Sequence, residues 1–261
     1  MDIFFMIAAG ALAGISAGLL GIGGGIIIVP VLAMVFESQQ VNIHVLMHVA
    51  IGTSLATIVV TSLSSVRAHH KRQAIDWSVV HVMAIGVFVG GLTGAILANF
   101  IQGKDLRLIF SFFLCLVAIQ MYIGNNIKAH RKLPAKTGML TAAGVIGMVS
   151  SLMGVGGGSM SVPFLTWCNV SIRKAVAISS AIGFPIAVSG TIGFIIIGWD
   201  VPDRPDMSIG FVNLPAFLSI VVASTLFAPV GAWLAHRVPV DILRRFFIVF
   251  LLMLGIRMVL S

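Results

Sequence analysis

Apolar segments long enough to cross a bilayer follow one another along the whole chain, and this feature constrains the fold more than any other. About 20 apolar residues span the hydrocarbon core of a membrane as a helix. Only 9% of the 261 residues are charged and 59% are hydrophobic, whereas soluble domains carry about 25% charged residues. The sequence therefore predicts an all-α polytopic membrane protein, with the lipid bilayer as its first partner.

Hydropathy predicts eight membrane segments, and the charged residues lie almost entirely between them, as the cost of burying a charge requires. The segments are 3–36, 46–66, 78–100 and 106–124 in a first set, and 138–168, 175–198, 211–235 and 242–260 in a second set. We therefore predict an N-terminal transmembrane repeat over 1–124, a basic cytoplasmic linker over 125–137 and a C-terminal transmembrane repeat over 138–261. The N-terminal MDIFF has no basic region, so we expect no cleaved signal peptide.

A glycine cluster followed by a proline interrupts the first segment of each set. Residues 18–30 read GLLGIGGGIIIVP, and residues 151–163 read SLMGVGGGSMSVP. Glycine costs a helix interior about 1 kcal/mol relative to alanine, so four glycines in five positions should break a helix. We predict that a new helix starts after each cluster, with Pro30 and Pro163 about one turn into it, where a missing N–H group costs least.

The distribution of positive charge predicts the orientation in the membrane. Four connections carry 12 of the 16 Lys and Arg residues, namely Arg67, Lys71, Arg72, Lys128, Arg131, Lys132, Lys136, Arg173, Lys174, Arg237, Arg244 and Arg245. The positive-inside rule places these connections in the cytoplasm of a plasma-membrane protein whose two termini face the exterior or periplasm. Each interrupted segment is then a hairpin, and the three crossings that follow it invert the second half. We expect no nucleic-acid partner, because no solvated basic face carries stacking aromatics.

The two halves of the chain align at three places in the same order. The glycine clusters and their prolines match at an offset of 133, AIGTSLA (50–56) matches AVAISSA (175–181) at an offset of 125, and TGAILANF (93–100) resembles VGAWLAHR (230–237) at an offset of 137. Two similar halves of opposite orientation are typical of inverted-repeat secondary transporters. The fold predicted is therefore two inverted-topology repeats, each a glycine-broken hairpin followed by three transmembrane helices.

The paired G-x-G-G-G-x4-P segments, the A-x-G-T-S stretch and the run IGFPIAVSGTIGF (182–194) resemble the sulfite exporter TauE/SafE family of membrane permeases. The resemblance covers nearly the whole chain. It implies a transporter of small anions, typically sulfur oxyanions or organosulfonates. The second half departs from the pattern, because Ala177 and Ile178 stand where the first half has Gly52 and Thr53.

The glycine clusters are the predicted anion site. A broken hairpin exposes the unpaired N–H groups and the positive dipole end of the helix that follows, and glycine lets an anion approach that backbone. We expect Gly24 and Gly157 to adopt a conformation that only glycine takes easily, and nearby hydroxyls to donate to the anion. The predicted substrate-binding residues are Gly23, Gly24, Gly25, Thr53, Ser54, Gly156, Gly157, Gly158, Ser159, Ser179 and Ser180. Pro185 is expected to kink the sixth segment beside this site.

These patterns also fit other interpretations. The glycine clusters could serve close helix packing alone, which is the role we predict for Gly10, Gly14, Gly18, Gly86, Gly90 and Gly94. The substrate could be another small organic anion. A cation carrier would need buried carboxylates, and no acidic residue lies in the middle of a span. GISAG (14–18) matches a hydrolase nucleophile motif but lacks its strand-to-helix context. We expect no enzyme activity, no cofactor and no metal ion, and a homodimer is a possible assembly.

Overall fold

Ten helices and one short β-hairpin make up the part of the chain that the computed structural model describes, which is residues 6–8, 10–15, 24–123, 133–235 and 240–260. The helices of the first half are α1 (Met6–Ile15), α2 (Gly25–Ser38), α3 (Ile43–Lys71), α4 (Trp77–Ala98) and α5 (Gly103–Ile123). Those of the second half are α6 (Lys136–Leu152), α7 (Gly158–Trp167), α8 (Ile172–Ile197), α9 (Leu214–Ala235) and α10 (Val240–Leu260). The predicted all-α membrane fold is confirmed.

Four of these helices, α3, α4, α5 and α8, are long and apolar enough to cross a membrane. Their outward faces carry large apolar side chains, as helices in contact with lipid do. On α5, for example, Phe112 is 66% exposed while Phe110 on the opposite face is fully buried. The chain is a multi-pass membrane protein.

The first segment of each set is broken into two helices, as predicted. In the second half, α6 ends at Leu152 and α7 begins at Gly158, so the break covers residues 153–157. In the first half, α2 begins at Gly25, and residues 16–23 lie outside the description. The prediction for the two prolines is wrong in detail. Each is the sixth residue of its helix, in the second turn, where the missing N–H group removes a hydrogen bond within the helix.

One element was not predicted from the sequence. Strands β1 (Ser208–Ile209) and β2 (Val212–Asn213) pair antiparallel in the connection between α8 and α9, with Ser208 opposite Asn213 and Ile209 opposite Val212. Gly210 lies in the turn with a φ of 56°, a conformation that favours glycine. The corresponding connection in the first half, residues 72–76 between α3 and α4, is much shorter.

The glycine runs predicted to serve packing lie at close helix contacts. A methyl group at Gly10 would lie 2.7 Å from the Cβ of Ala223 on α9, and one at Gly86 would lie 2.8 Å from the Cβ of Ala143 on α6. Gly14, Gly90 and Gly94 likewise lie against backbone of a neighbouring helix, while Gly18 lies outside the described residues. Close approach of this kind is the usual role of small residues in membrane helices.

These contacts correspond between the two halves. Gly14 lies against the backbone of Ser224, and Gly147 lies against the backbone of Val87. The sequence offsets of 133 and 137 relate Gly14 to Gly147 and Val87 to Ser224. The packing of α1 on α9 therefore resembles the packing of α6 on α4, and each pair joins one helix from each half.

An ion pair joins α2 to α5. Arg107 is buried, and its Nη2 atom lies 3.3 Å from Oε2 of Glu37 in the last turn of α2. Both residues fall on the side of the membrane that the charge distribution assigns to the exterior. The pair fixes the end of α2 that lies farthest from its glycine cluster.

Candidate functional site: the two helix breaks

The second break is a buried turn. Residues 153–159 are all buried, and Gly154 adopts a φ of 65°. The first backbone N–H groups that donate within α7 are those of Met160 and Ser161, both to the carbonyl of Gly157. The N–H groups of Gly158 and Ser159 precede them, so they are the donors that a helix start leaves unpaired. Turns of this kind occur at membrane depth only where protein or water surrounds them.

Ser159 gives this helix start a side-chain donor as well. Its side chain is buried, with 6% exposure, and its Oγ has no hydrogen-bond partner among the described residues. A buried hydroxyl without a partner costs about 1–3 kcal/mol. Of the predicted site residues it therefore has the donor best placed for an oxyanion.

The first break lies against the second. Gly24 has a φ of 69° and precedes α2, and the N–H groups of Ile27 and Ile28 donate to its carbonyl. A methyl group at Gly25 would lie 2.7 Å from the carbonyl oxygen of Gly154 and 3.1 Å from the Cα of Val155. Gly23 lies outside the described residues. The start of α2 is thus packed on the turn that precedes α7.

Ser54 ties this contact to α3. Its Oγ donates a hydrogen bond of 2.8 Å to the carbonyl oxygen of Gly154. Ser54 is 11 residues from the start of α3 at Ile43, about 16 Å along the helix axis. That is close to half of the roughly 30 Å hydrocarbon thickness, so in a membrane that begins at the start of α3 the two breaks would meet near the middle.

Ser179 lies on the other side of the second break. Its Oγ is 2.6 Å from the Oγ of Ser161, and the Ser161 hydroxyl donates to the carbonyl of Gly157. Because a hydroxyl carries a single proton, Ser179 must be the donor in its contact with Ser161. Ser179 therefore fixes α8 to the first turn of α7.

Two predicted residues lie elsewhere. Thr53 Oγ1 accepts the backbone N–H of Asn213 at 2.9 Å, which places it under the β-hairpin. Ser180 donates to the carbonyl of Val176 in its own helix at 2.9 Å. The structure thus brings Gly25, Ser54 and Gly156–Ser159 together around the breaks, with Ser179 behind them.

The conformational prediction was right for Gly24 and wrong for Gly157. Gly157 has a φ of −56°, an ordinary right-handed value, and a methyl group there would lie 3.2 Å from Cδ1 of Ile186. The positive φ of the second cluster is at Gly154 instead. Gly157 therefore does not depend on the backbone freedom of glycine. As for Pro185, α8 continues through it from Ile172 to Ile197.

Sequence reasoning missed three further hydroxyls. Ser150 and Ser151 are fully buried in the last turn of α6, and neither Oγ has a partner among the described residues. The Oγ1 atom of Thr191 on α8 is also buried and has no partner among the described residues. Thr191 follows Gly190, which lies against Ser151 Oγ. The signal in the sequence was their position, since Ser150 and Ser151 lie within four residues before Gly154 in an apolar span.

A separate cavity of about 630 Å³ lies beyond the β-hairpin, between the α2–α3 and α8–α9 connections. Its lining includes Gln39, Asn42, Asp203, Arg204, Asp206 and Asn213. Asn42 donates a hydrogen bond of 3.0 Å to Asp203 across the cavity rim. The volume is in the range of small-molecule sites.

Comparison with known proteins agrees with this architecture. The family model for the sulfite exporter TauE/SafE matches residues 6–258. The chain belongs to the sulfite exporter TauE/SafE family. It is 37% identical over 270 residues to a probable membrane transporter protein of Haemophilus influenzae, an alignment that covers 99% of this chain and 98% of the relative.

More distant relatives of the TauE/SafE chain carry the same description. A probable membrane transporter protein of Methanocaldococcus jannaschii is 29% identical over 83% of this chain and 80% of its own length. The probable membrane transporter protein YunE of Bacillus subtilis is 30% identical over 76% of this chain and 80% of its own length. No solved structure gives a significant match. The protein is a membrane transporter of the TauE/SafE type and not an enzyme.

Proposed function

We propose that this transporter moves a small anion, a sulfur oxyanion or organosulfonate such as sulfite, across the plasma membrane by alternating access. The observation that carries the proposal is the start of α7, where two backbone N–H groups and the buried Ser159 hydroxyl lie together without acceptors among the described residues. All three are hydrogen-bond donors. The oxygens of an oxyanion are hydrogen-bond acceptors, so an oxyanion can accept from all three groups.

The electrostatics of the helix starts support an anion. The first turn of a helix carries a partial positive charge that stabilises a nearby anion by about 0.3–1 kcal/mol, and by more where water is partly excluded. At Gly25 and Gly158 two such helix starts converge on one turn. Neither first turn contains an acidic residue, so no carboxylate within these turns offsets the positive ends.

The placement of carboxylates argues against a cation as substrate. Acidic side chains that the structure describes lie at helix ends or in connections, namely Glu37, Asp76, Asp105, Asp200, Asp203 and Asp206. A cation at mid-membrane would need a buried carboxylate to offset its desolvation. The surroundings of the two breaks offer hydroxyls and backbone groups instead.

The hydroxyl arrangement favours a compact ligand with several oxygens. Ser150 and Ser151 stand before the break and Ser159 after it, so the donors flank a turn of a few residues. Sulfite and sulfonates present three oxygens around one sulfur and can accept from donors on different sides. The family name adds support for this substrate class.

Flux through purified protein in liposomes tests the proposal. We expect saturable uptake of labelled sulfite that is competed by other sulfur oxyanions or sulfonates and is absent from protein-free liposomes. Absence of protein-dependent flux for every sulfur anion would contradict the proposal. Flux of small carboxylates alone would establish the alternative, a carrier of another organic anion.

A further inference from the structure

The connection between α8 and α9 places an aromatic side chain between α3 and α8. Phe211, between the two β-strands, is only 3% exposed. Its ring lies 5.1 Å from the His48 ring on α3 and 6.5 Å from the Phe194 ring on α8. Its N–H donates to the carbonyl of Phe194 at 3.1 Å. Phe211 therefore fills the space between α3 and α8 on the side of the breaks that faces the cavity.

Two consecutive residues of α3 are in contact with this hairpin. A methyl group at Gly52 would lie 2.5 Å from the carbonyl oxygen of Phe211, so any side chain there would displace the hairpin. The next residue, Thr53, accepts the N–H of Asn213 at 2.9 Å. Ser54, one position further, donates to Gly154 in the second break. The hairpin and the break are thus in contact with adjacent residues of a single helix.

The asymmetry between the two halves agrees with this arrangement. At the repeat offset of 125, Gly52 and Thr53 correspond to Ala177 and Ile178. The first half has only residues 72–76 in place of the connection that carries the hairpin. The glycine, which leaves space, and the threonine, which offers a hydroxyl acceptor, therefore occur in α3, the helix that contacts the hairpin. The departure from the repeat pattern has a structural reason.

We propose that the β-hairpin Ser208–Asn213 is the gate between the 630 Å³ cavity and the helix breaks, seated on Gly52 and held closed by the Thr53–Asn213 hydrogen bond. Thr53 is then a gate residue rather than a ligand of the substrate. This inference rests on the proposed function, because an alternating-access transporter needs a gate on each side of its site.

Thiol labelling measures the gate without depending on the substrate. The chain has two cysteines, and a variant with both replaced by serine receives a single cysteine, Ser54→Cys, beneath the hairpin. A membrane-impermeant maleimide is applied to right-side-out and inside-out vesicles. Thr53→Val removes the acceptor, and Thr53→Ser restores it. Thr57→Val is the matched control, since Thr57 is equally buried one turn further along and its hydroxyl donates to Ser54 of the same helix.

We expect Thr53→Val to raise the labelling rate from the hairpin side about fivefold, with Thr53→Ser and Thr57→Val near the original rate. Phe211→Ala should raise it further, because the ring no longer fills the path. Unfolding would raise labelling from both sides, whereas opening of the gate would raise it from the hairpin side alone. Unchanged hairpin-side labelling in both Thr53→Val and Phe211→Ala would overturn the gate. Absence of anion flux in liposomes would instead count against the proposed function and would leave the labelling result standing.

Discussion

Ser54 Oγ donates a 2.8 Å hydrogen bond to the carbonyl of Gly154, a residue 100 positions further along the chain. This bond joins the long helix of the first half to the glycine turn of the second half. Because both atoms are buried, its loss would leave a carbonyl without a partner, at a cost of about 1–3 kcal/mol. The same Gly154 carbonyl lies against Gly25, the start of α2. The two glycine clusters therefore belong to one structural unit.

The orientation of the repeats makes a prediction about exposed loops. Asp206 lies in the connection between α8 and α9, Lys136 is the first residue of α6, and both are exposed. The charge distribution predicts that they face opposite sides of the membrane. In a variant without native cysteines, Asp206→Cys should react with an impermeant maleimide from outside the cell and Lys136→Cys should not. Labelling of both positions from the same side would remove the basis for inverted repeats.

The backbone conformations of the two clusters predict different costs for alanine. Gly24 has a φ of 69°, where a side chain costs roughly 1 kcal/mol or more, so Gly24→Ala should lower the thermal unfolding temperature. Gly157 has a φ of −56°, and Gly157→Ala should be tolerated after a small shift of Ile186. Measurements of thermal unfolding in detergent compare the two. Equal destabilisation would mean that backbone conformation is not what distinguishes them.

The contact between α4 and α6 predicts that alanine destabilises the fold at Gly90 and is tolerated at Gly144. A methyl group at Gly90 would collide with the carbonyl oxygen of Gly144, whereas one at Gly144 would lie 3.8 Å from the carbonyl oxygen of Gly86, an ordinary contact. Gly90→Ala should therefore destabilise the fold by about 1–3 kcal/mol, the range for overpacking. Gly144→Ala should stay within about 0.5 kcal/mol of the parent chain. The reverse order would show that the helices pack differently.

A pH dependence is expected at the start of α4. Asp76 Oδ1 accepts from the Ser78 hydroxyl at 2.6 Å and from the Ser78 backbone N–H at 3.1 Å. These bonds to Ser78 hold the pKa of Asp76 below its ordinary value. The stabilisation is then present above the unfolded pKa of about 3.9 and is lost as the pH falls through the lower folded value.

Asp76→Asn tests this dependence, because asparagine keeps the capping acceptor but does not titrate. We expect the parent chain to lose stability relative to Asp76→Asn between about pH 5 and pH 3, as followed by thermal unfolding. Parallel pH profiles for the two proteins would show that the Asp76 charge contributes nothing to the cap.

Much of the fold could be predicted from the sequence, because apolar length and glycine clusters are strong local signals. The start of α2 at Gly25 and the break after Leu152 follow directly from the glycines. The β-hairpin could not be predicted, since two-residue strands carry no periodicity. Its partners Gly52 and Thr53 were visible only as an asymmetry between the halves. Whether the hydroxyls of Ser54, Ser159 and Ser179 have hydrogen-bond partners depends on tertiary contacts, and only the structure shows those contacts.

Anion binding to the Ser159→Ala variant tests the central claim most directly. Thermal stabilisation of purified protein by increasing sulfite gives an apparent Kd, because a ligand that binds the folded state raises its stability. A hydrogen bond to a charged group contributes about 1.5–3 kcal/mol, so Ser159→Ala should weaken binding at least about tenfold. Ser180→Ala removes a hydroxyl that donates to the carbonyl of Val176 in its own helix, so this variant should bind sulfite as the parent chain does. An unchanged sulfite Kd in Ser159→Ala would contradict an anion site at the start of α7.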